Sequence, residues 1–190
     1  MLRNEKTQTL SRLGMLAALS VALVAIVHFP LLPAAPYLEY DPADIPILIA
    51  AFMYGPWYGV LLTVVVSVIQ GVTVSAGGGV IGIIMHIGAT SAFCLAAGYI
   101  YKGNKNQTSA LVGLIVGVLT MAAVMTGLNY LLTPLYTGMP RDEVAKLLIP
   151  VIVPFNLLKA GINAALTFIV YKPVHRLFER MGGARSAAKQ

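Results

Sequence analysis

Asn156 and Lys159 place an amide and an ammonium inside an apolar run that extends over residues 148–171, in the stretch Pro154-Phe155-Asn156-Leu157-Leu158-Lys159. Three residues apart, they share one face of a helix, and Asn163 continues that face one turn later. An ionisable group in such a run is costly, usually faces a bundle interior or a water-filled cavity, and marks a path for a substrate or ion. The alternative for Lys159 is that its long stem carries the charge out to the membrane interface. Asn129, with Thr126 beside it, adds a second amide in an earlier apolar run; taken alone it could equally be a hydrogen-bonding tie between helices. An amide offers one acceptor and two donors, which suits the alternating polar edge of a flat heterocycle. Lys159 adds a donor that favours an electron-rich carbonyl or nitrogen. Leu, Val, Phe and Tyr around these groups would hold an apolar remainder, the usual make-up of a small-molecule pocket.

The same residues make a poor catalytic set. No nucleophile has an adjacent base, and no pair of carboxylates lies within an apolar run. His28 and His86 are far apart near helix ends, His175 lies in a basic tail, and none has a histidine or glutamate at metal-ligating spacing. Gly77, Gly79 and Gly82 match G-x-G-x-x-G, but no strand precedes them, so they read as a turn between membrane helices. No P-loop motif occurs, so ATP hydrolysis would have to be supplied by another chain. The lone Cys94 sits in an apolar run without a pairing or ligand partner and reads as a small core residue. These features predict a protein that is not an enzyme, holds no metal or cofactor and does not bind nucleic acid.

The elements that must position this polar set are membrane helices. Of the 190 residues 58% are hydrophobic and 11% charged, with a mean hydropathy of +0.81, far from a soluble domain. In lipid the backbone must satisfy its own hydrogen bonds, and the alternation of barrel strands is absent, so the runs read as helices. The net charge of +6 gathers at the ends and one loop, which fits membrane orientation.

A basic lead over residues 1–12 precedes an apolar run at 13–29. A signal peptide with Pro33-Ala34-Ala35 as cleavage site is the alternative, but the run is long and the site poor, so it is taken as the first span. On it Gly14, Ala18 and Ala22 recur every fourth residue, a small-residue ladder suited to close helix packing, either inside the bundle or against a partner subunit. Residues 29–39, with Pro30, Pro33 and Pro36, read as an irregular loop. Asp41 is then expected as an N-cap, Pro42 at the first helical position and Asp44 in the acidic first turn. Further spans are expected at 45–54, 57–74, from the glycine turn to 101, at 109–132, and from within 148 to 171. Polar connections at 102–108 and 133–150 separate the later ones, and a basic tail occupies 174–190.

Sidedness alternates with each span, and basic loops prefer the cytoplasm. With six spans, the lead, the Lys102 loop and the basic C-terminal end fall on one side and collect ten of the 13 Lys and Arg; with five they cannot. The expectation is therefore an all-α membrane protein, a six-transmembrane-helix bundle over 13–173 with both termini cytoplasmic, the 45–54 segment crossing as a short or locally thinned span. Asn129, Asn156 and Lys159 then fall in the outer halves of their helices.

At this point the chain resembles a known family. Leu38-Glu39-Tyr40-Asp41-Pro42-Ala43-Asp44-Ile45-Pro46, Tyr54-Gly55-Pro56, Gly127-Leu128-Asn129-Tyr130 with Thr133-Pro134, and Pro154 to Lys159 are similar to segments of the riboflavin-binding S component of energy-coupling factor vitamin transporters, over about residues 10–177. The resemblance implies that a bacterial plasma-membrane protein captures riboflavin, as cargo, from outside. The flavin ring would meet Asn129, Asn156 and Lys159 along its pyrimidine-like edge, while Leu38, Tyr40 and Asp41 would contact ring or ribityl chain. It further implies partners: a transmembrane coupling protein, docked on the Gly14, Ala18 and Ala22 face, two ATPase subunits and the surrounding lipid bilayer. The alternatives are an S component for another small vitamin and a stand-alone secondary transporter, though a coupling-ion carboxylate for the latter is not evident in the sequence.

Overall fold

The computed structural model describes residues 2–32 and 38–187, with side chains described for 6–32, 38–135 and 137–178. Pro33 and Pro36 of the proline-rich loop, and the Pro33-Ala34-Ala35 site, lie outside the described residues.

Among the described residues seven α-helices follow one another: α1 Leu2–Ile26, α2 Asp44–Tyr54, α3 Pro56–Val72, α4 Gly79–Asn104, α5 Gln107–Thr137, α6 Arg141–Leu147 and α7 Val153–Ala187. A two-residue hairpin, β1 Phe29–Pro30 paired antiparallel with β2 Glu39–Tyr40, links α1 to α2. Among the described residues four helical stretches have the length and apolar composition to cross a membrane, namely Lys6–Ile26, Ala76–Asn104, Gln107–Leu135 and Arg141–Phe178; Asp44–Tyr54 and Pro56–Val72 are apolar but shorter.

Several helices outrun the expected bounds. The basic lead and much of the basic tail are helical, because hydropathy marks where an apolar surface ends, whereas Lys, Arg, Gln and Ala propagate a helix well beyond it. The connection over 133–150 proves largely helical: α5 runs through Pro134 to a left-handed Gly138 (φ 72°), α6 follows with Asp142 and Glu143 in its first turn and Lys146 in its last, and a π-turn, Leu148–Ile152, leads into α7. Pro150 lies inside that turn and lacks the N–H an α-helix would use there.

α2 is the hub. At 11 residues it is about 16 Å long, roughly half a hydrocarbon core. Ile47, Leu48, Ile49, Ala50 and Ala51 are each at most 1% exposed, and α1, α3, α4 and α7 all pack on it. A helix apolar all round and covered all round is a core element, which explains how so short a segment is accommodated. Gly55, at φ 114°, makes the turn that sends the chain back as α3. Gly113 brings α5 against α4 so closely that a Cβ would stand 2.8 Å from the Ala97 carbonyl oxygen.

α1 turns Leu13, Leu16, Ser20 and Val24 inward, and Ser20 Oγ donates to the Ala43 carbonyl at 2.9 Å. Gly14, Ala18 and Ala22 face away from the bundle and are exposed. The internal-packing alternative for the ladder therefore does not hold within this chain.

One end of the bundle is basic and aromatic. Arg12 Nη2 donates to the Phe178 carbonyl at 2.8 Å, Trp57 Nε1 donates to Tyr99 Oη at 2.9 Å, and Tyr101 and Tyr171 share a hydroxyl hydrogen bond. Exposed Trp and Tyr at such a level mark a membrane–water interface. The opposite end carries the hairpin, the glycine turn and α6.

Candidate functional site

At that opposite end a cavity of about 410 Å³ opens between the C-terminal parts of α1 and α3, the start of α4, the later half of α5 and the early half of α7. Its wall includes Leu38, Asp41, Asn129 and Lys159, together with His28, Glu39, Ser67, Gln70, His86, Met125 and Phe155. Tyr40 and Asn156 do not contribute to the wall.

Lys159 does not snorkel. It is 8% exposed, and its Nζ donates to Asp41 Oδ2 at 2.6 Å, with the Glu39 carbonyl at 3.5 Å. A buried ammonium in a low-dielectric bundle requires such a partner. The sequence expectation for Asp41 is corrected by the same contact. α2 begins at Asp44, and the cap position is Ala43, without a side-chain bond. Asp41 instead folds its Oδ1 onto the Ala43 N–H at 3.1 Å, an Asx turn, and gives its other oxygen to Lys159. Pro42 precedes the helix rather than opening it.

Asp44, fully buried, is a carboxylate that the sequence reading assigned only to helix capping. It accepts from Thr90 Oγ1 at 2.9 Å and from Asn163 Nδ2 at 3.1 Å, and lies 3.5 Å from His86 Nε2. Asn163, on the same α7 face as Asn156 and Lys159, also donates to the Asp41 carbonyl at 3.1 Å, and its Oδ1 accepts from Tyr40 Oη at 3.1 Å. Burial, with the Asp41 carboxylate beside it, holds the Tyr40 phenol above its ordinary pKa, so it remains a neutral donor. One amide thus ties the hairpin, the head of α2 and α7 together. Asp44, Asn163 and His86 form a network that spacing could not reveal, because its members come from α2, α4 and α7.

The two remaining amides differ in what they leave free. Asn129 donates to the Met125 carbonyl at 2.9 Å and accepts from Thr133 Oγ1 at 3.0 Å. Asn156 donates to the Ile152 carbonyl at 2.8 Å, but its Oδ1 is buried with no partner among the described residues. Gln70, on α3, is 5% exposed and its Oε1 is likewise unpartnered. Sequence reasoning passed over Gln70, although an amide inside an apolar helix is the same signal that drew attention to Asn129. A pocket whose wall combines an ion pair, the amides of Asn129 and Gln70 and apolar side chains can hold a flat, polar-edged small molecule.

Fold and site together define a multi-pass membrane protein with a cavity of small-molecule size near one end of its bundle. A sequence model described as "ECF transporter, substrate-specific component" matches residues 8–171, and the chain belongs to that family. It is 28% identical to the riboflavin transporter RibU of Staphylococcus aureus over 187 residues, 95% of this chain and 97% of that protein. It is 27% identical to the riboflavin transporter FmnP of Bacillus subtilis over 179 residues, 88% and 94% of the respective chains. A solved S component of a bacterial ECF transporter superposes with a TM-score of 0.78 at 28% identity, covering 90% of this chain and 98% of that one. The structure of ThiT from Listeria monocytogenes, at 17% identity, shares the fold with a TM-score of 0.67, over 92% and 98%.

Proposed function

We propose that this chain is the riboflavin-binding subunit of an ATP-driven vitamin importer, taking riboflavin from outside and delivering it with a separate energising module. The observation that carries this reading is the cavity bounded by Asn129, Lys159, Leu38 and Asp41, in a chain aligned along nearly its whole length with riboflavin transporters. Asn129 and Lys159 take the pyrimidine-like edge of the flavin from the wall, and Asn156, which lies behind the wall, adds its unpartnered Oδ1. Leu38, Tyr40 and Asp41 hold ring or ribityl chain from the hairpin side. Riboflavin is cargo, and the chain itself performs no catalysis.

The finer architecture belongs to the same proposal. Six spans, the buried α2 among them, put both termini, the Lys102 end of α4 and the basic end of α7 in the cytoplasm, with residues 1–12 as lead, 13–173 as membrane domain and 174–190 as tail. The pocket then opens outward. A transmembrane coupling protein, joined to two ATPases, docks on the outward-facing Gly14, Ala18 and Ala22 stripe of α1, whose lack of bulk permits close helix approach. The absorption spectrum of the detergent-purified protein tests the reading: copurified riboflavin gives a yellow protein with a flavin spectrum. A colourless preparation that also fails to quench added riboflavin fluorescence would refute it.

A further inference from the structure

The polar atoms of the cavity wall are unevenly committed. On the hairpin and α7 side, Asp41 and Lys159 satisfy each other, and Asn129 is bonded at both ends of its amide. On the α3 and α4 side, Gln70 Oε1 is buried without a partner among the described residues, although Gln70 is 5% exposed and lines the cavity. Ser67 stands one helical turn before Gln70 on the same face, lines the same cavity, and has its Oγ 2.7 Å from His86 Nδ1. Two hydroxyl- or amide-bearing side chains of α3 and an imidazole of α4 therefore form a second polar wall. Most buried polar groups in native proteins have partners, and one without a partner, on a residue that lines a cavity, calls for an explanation, of which a ligand in that cavity is one.

We infer that Gln70, flanked by the Ser67–His86 pair, binds the hydroxylated ribityl chain of the vitamin and sets the preference for flavins that carry it. The inference rests on the riboflavin reading above. A flavin has three chemically distinct parts. Its pyrimidine edge is served by the asparagines and lysine of α5 and α7, and its dimethylbenzene end needs no polar partner. Its ribityl hydroxyls each donate and accept. An unpaired amide oxygen is an acceptor for such a hydroxyl, and the amide nitrogen of the same side chain donates to the next. A site that bonds a hydroxyl discriminates strongly against an analogue lacking it, because its own polar group is then left unpaired.

Riboflavin and lumiflavin, which has the same ring with a methyl group in place of the ribityl chain, separate arm from ring. The full-length protein in detergent is titrated with each flavin by fluorescence quenching. Wild type is expected to prefer riboflavin, and Gln70→Met, which keeps the side-chain length, to reduce the ratio of the two affinities roughly tenfold, the worth of one buried hydrogen bond. Gln70→Ala is read in the same way should the Met variant fail to fold. An equal loss for both flavins, or an unchanged ratio, would overturn the inference. Absence of riboflavin binding by wild type would instead overturn the functional reading, and the inference with it.

Discussion

Lys159 Nζ and Asp41 Oδ2 meet at 2.6 Å across 118 residues of sequence, so the one ammonium set deep in α7 is held by the loop that enters α2. Both side chains are about nine-tenths buried. Breaking such a pair from one side leaves the other charge uncompensated and costs about 3–5 kcal/mol. Lys159→Met is therefore expected to lower the thermal stability of the purified protein sharply, and Asp41→Asn combined with Lys159→Met to recover much of it. Equal stability of single and double variants would show that the pair contributes no coupling.

Asn163 is expected to be as sensitive as a residue of the wall, although it lies behind it. Its amide bonds Tyr40, the Asp41 carbonyl and Asp44. Asn163→Leu leaves these buried groups short of partners, at about 1–3 kcal/mol for each group left unsatisfied. Riboflavin affinity and melting temperature should fall together. An affinity loss with unchanged melting temperature would mean that Asn163 touches the ligand rather than positioning the hairpin.

The membrane class, the helical content and the polar face of α7 were legible because each depends on local composition or on spacing along one helix. Asn156, Lys159 and Asn163 share a face by helical geometry alone. What they face was not legible. Asp41 and Asp44 sit where acidic residues commonly cap helices, so a local explanation was at hand, and the long-range one required knowing that α2 lies inside the bundle. Helix ends were misjudged at 12–13, 132–133 and after 171 for a related reason: hydropathy reports the lipid-facing surface, whereas the backbone ladder continues into polar sequence with good helix formers. His86 meets Ser67 of α3 and Asp44 of α2, and nothing within several residues of it announces this.

Sidedness can be read with single cysteines, since Cys94 is fully buried and contributes little background. Ser109 is itself buried and donates its backbone N–H to the Asn106 cap, so the neighbouring exposed Thr108 is the better reporter. Under six spans, Thr108→Cys should react with impermeant maleimide only after the cytoplasmic side is opened, and Asp142→Cys in intact cells. Labelling of both from the same side would exclude a single crossing by α5 between them, and with it the proposed orientation.

The exposed ladder of α1 predicts a separation of binding from transport. Ala18 is exposed, so Ala18→Trp adds bulk on the outer face of α1 and should leave folding and riboflavin binding of the purified protein intact. Uptake by cells containing the energising module should be lost if that face docks the coupling protein. Normal uptake by the Trp variant would assign the docking surface elsewhere.

Asn156 gives the most direct test of the ligand edge. Its Nδ2 is committed to the Ile152 carbonyl, while Oδ1 is buried and unpartnered, so the side chain has a fixed orientation and a free acceptor. An N–H on the pyrimidine-like edge of a flavin is the complementary donor. Asn156→Ala removes that acceptor and leaves the ligand N–H without a partner, a loss of roughly 1–3 kcal/mol, or about 5- to 150-fold in affinity. Asn156→Asp keeps an acceptor at the same reach and should bind more tightly than the alanine variant. Because ring recognition is at stake, riboflavin and lumiflavin should weaken together in Asn156→Ala, in contrast to the arm-selective effect at Gln70. Wild-type affinity for both flavins in folded Asn156→Ala protein would remove Asn156 from the site, and leave its unpaired oxygen to the packing of α7.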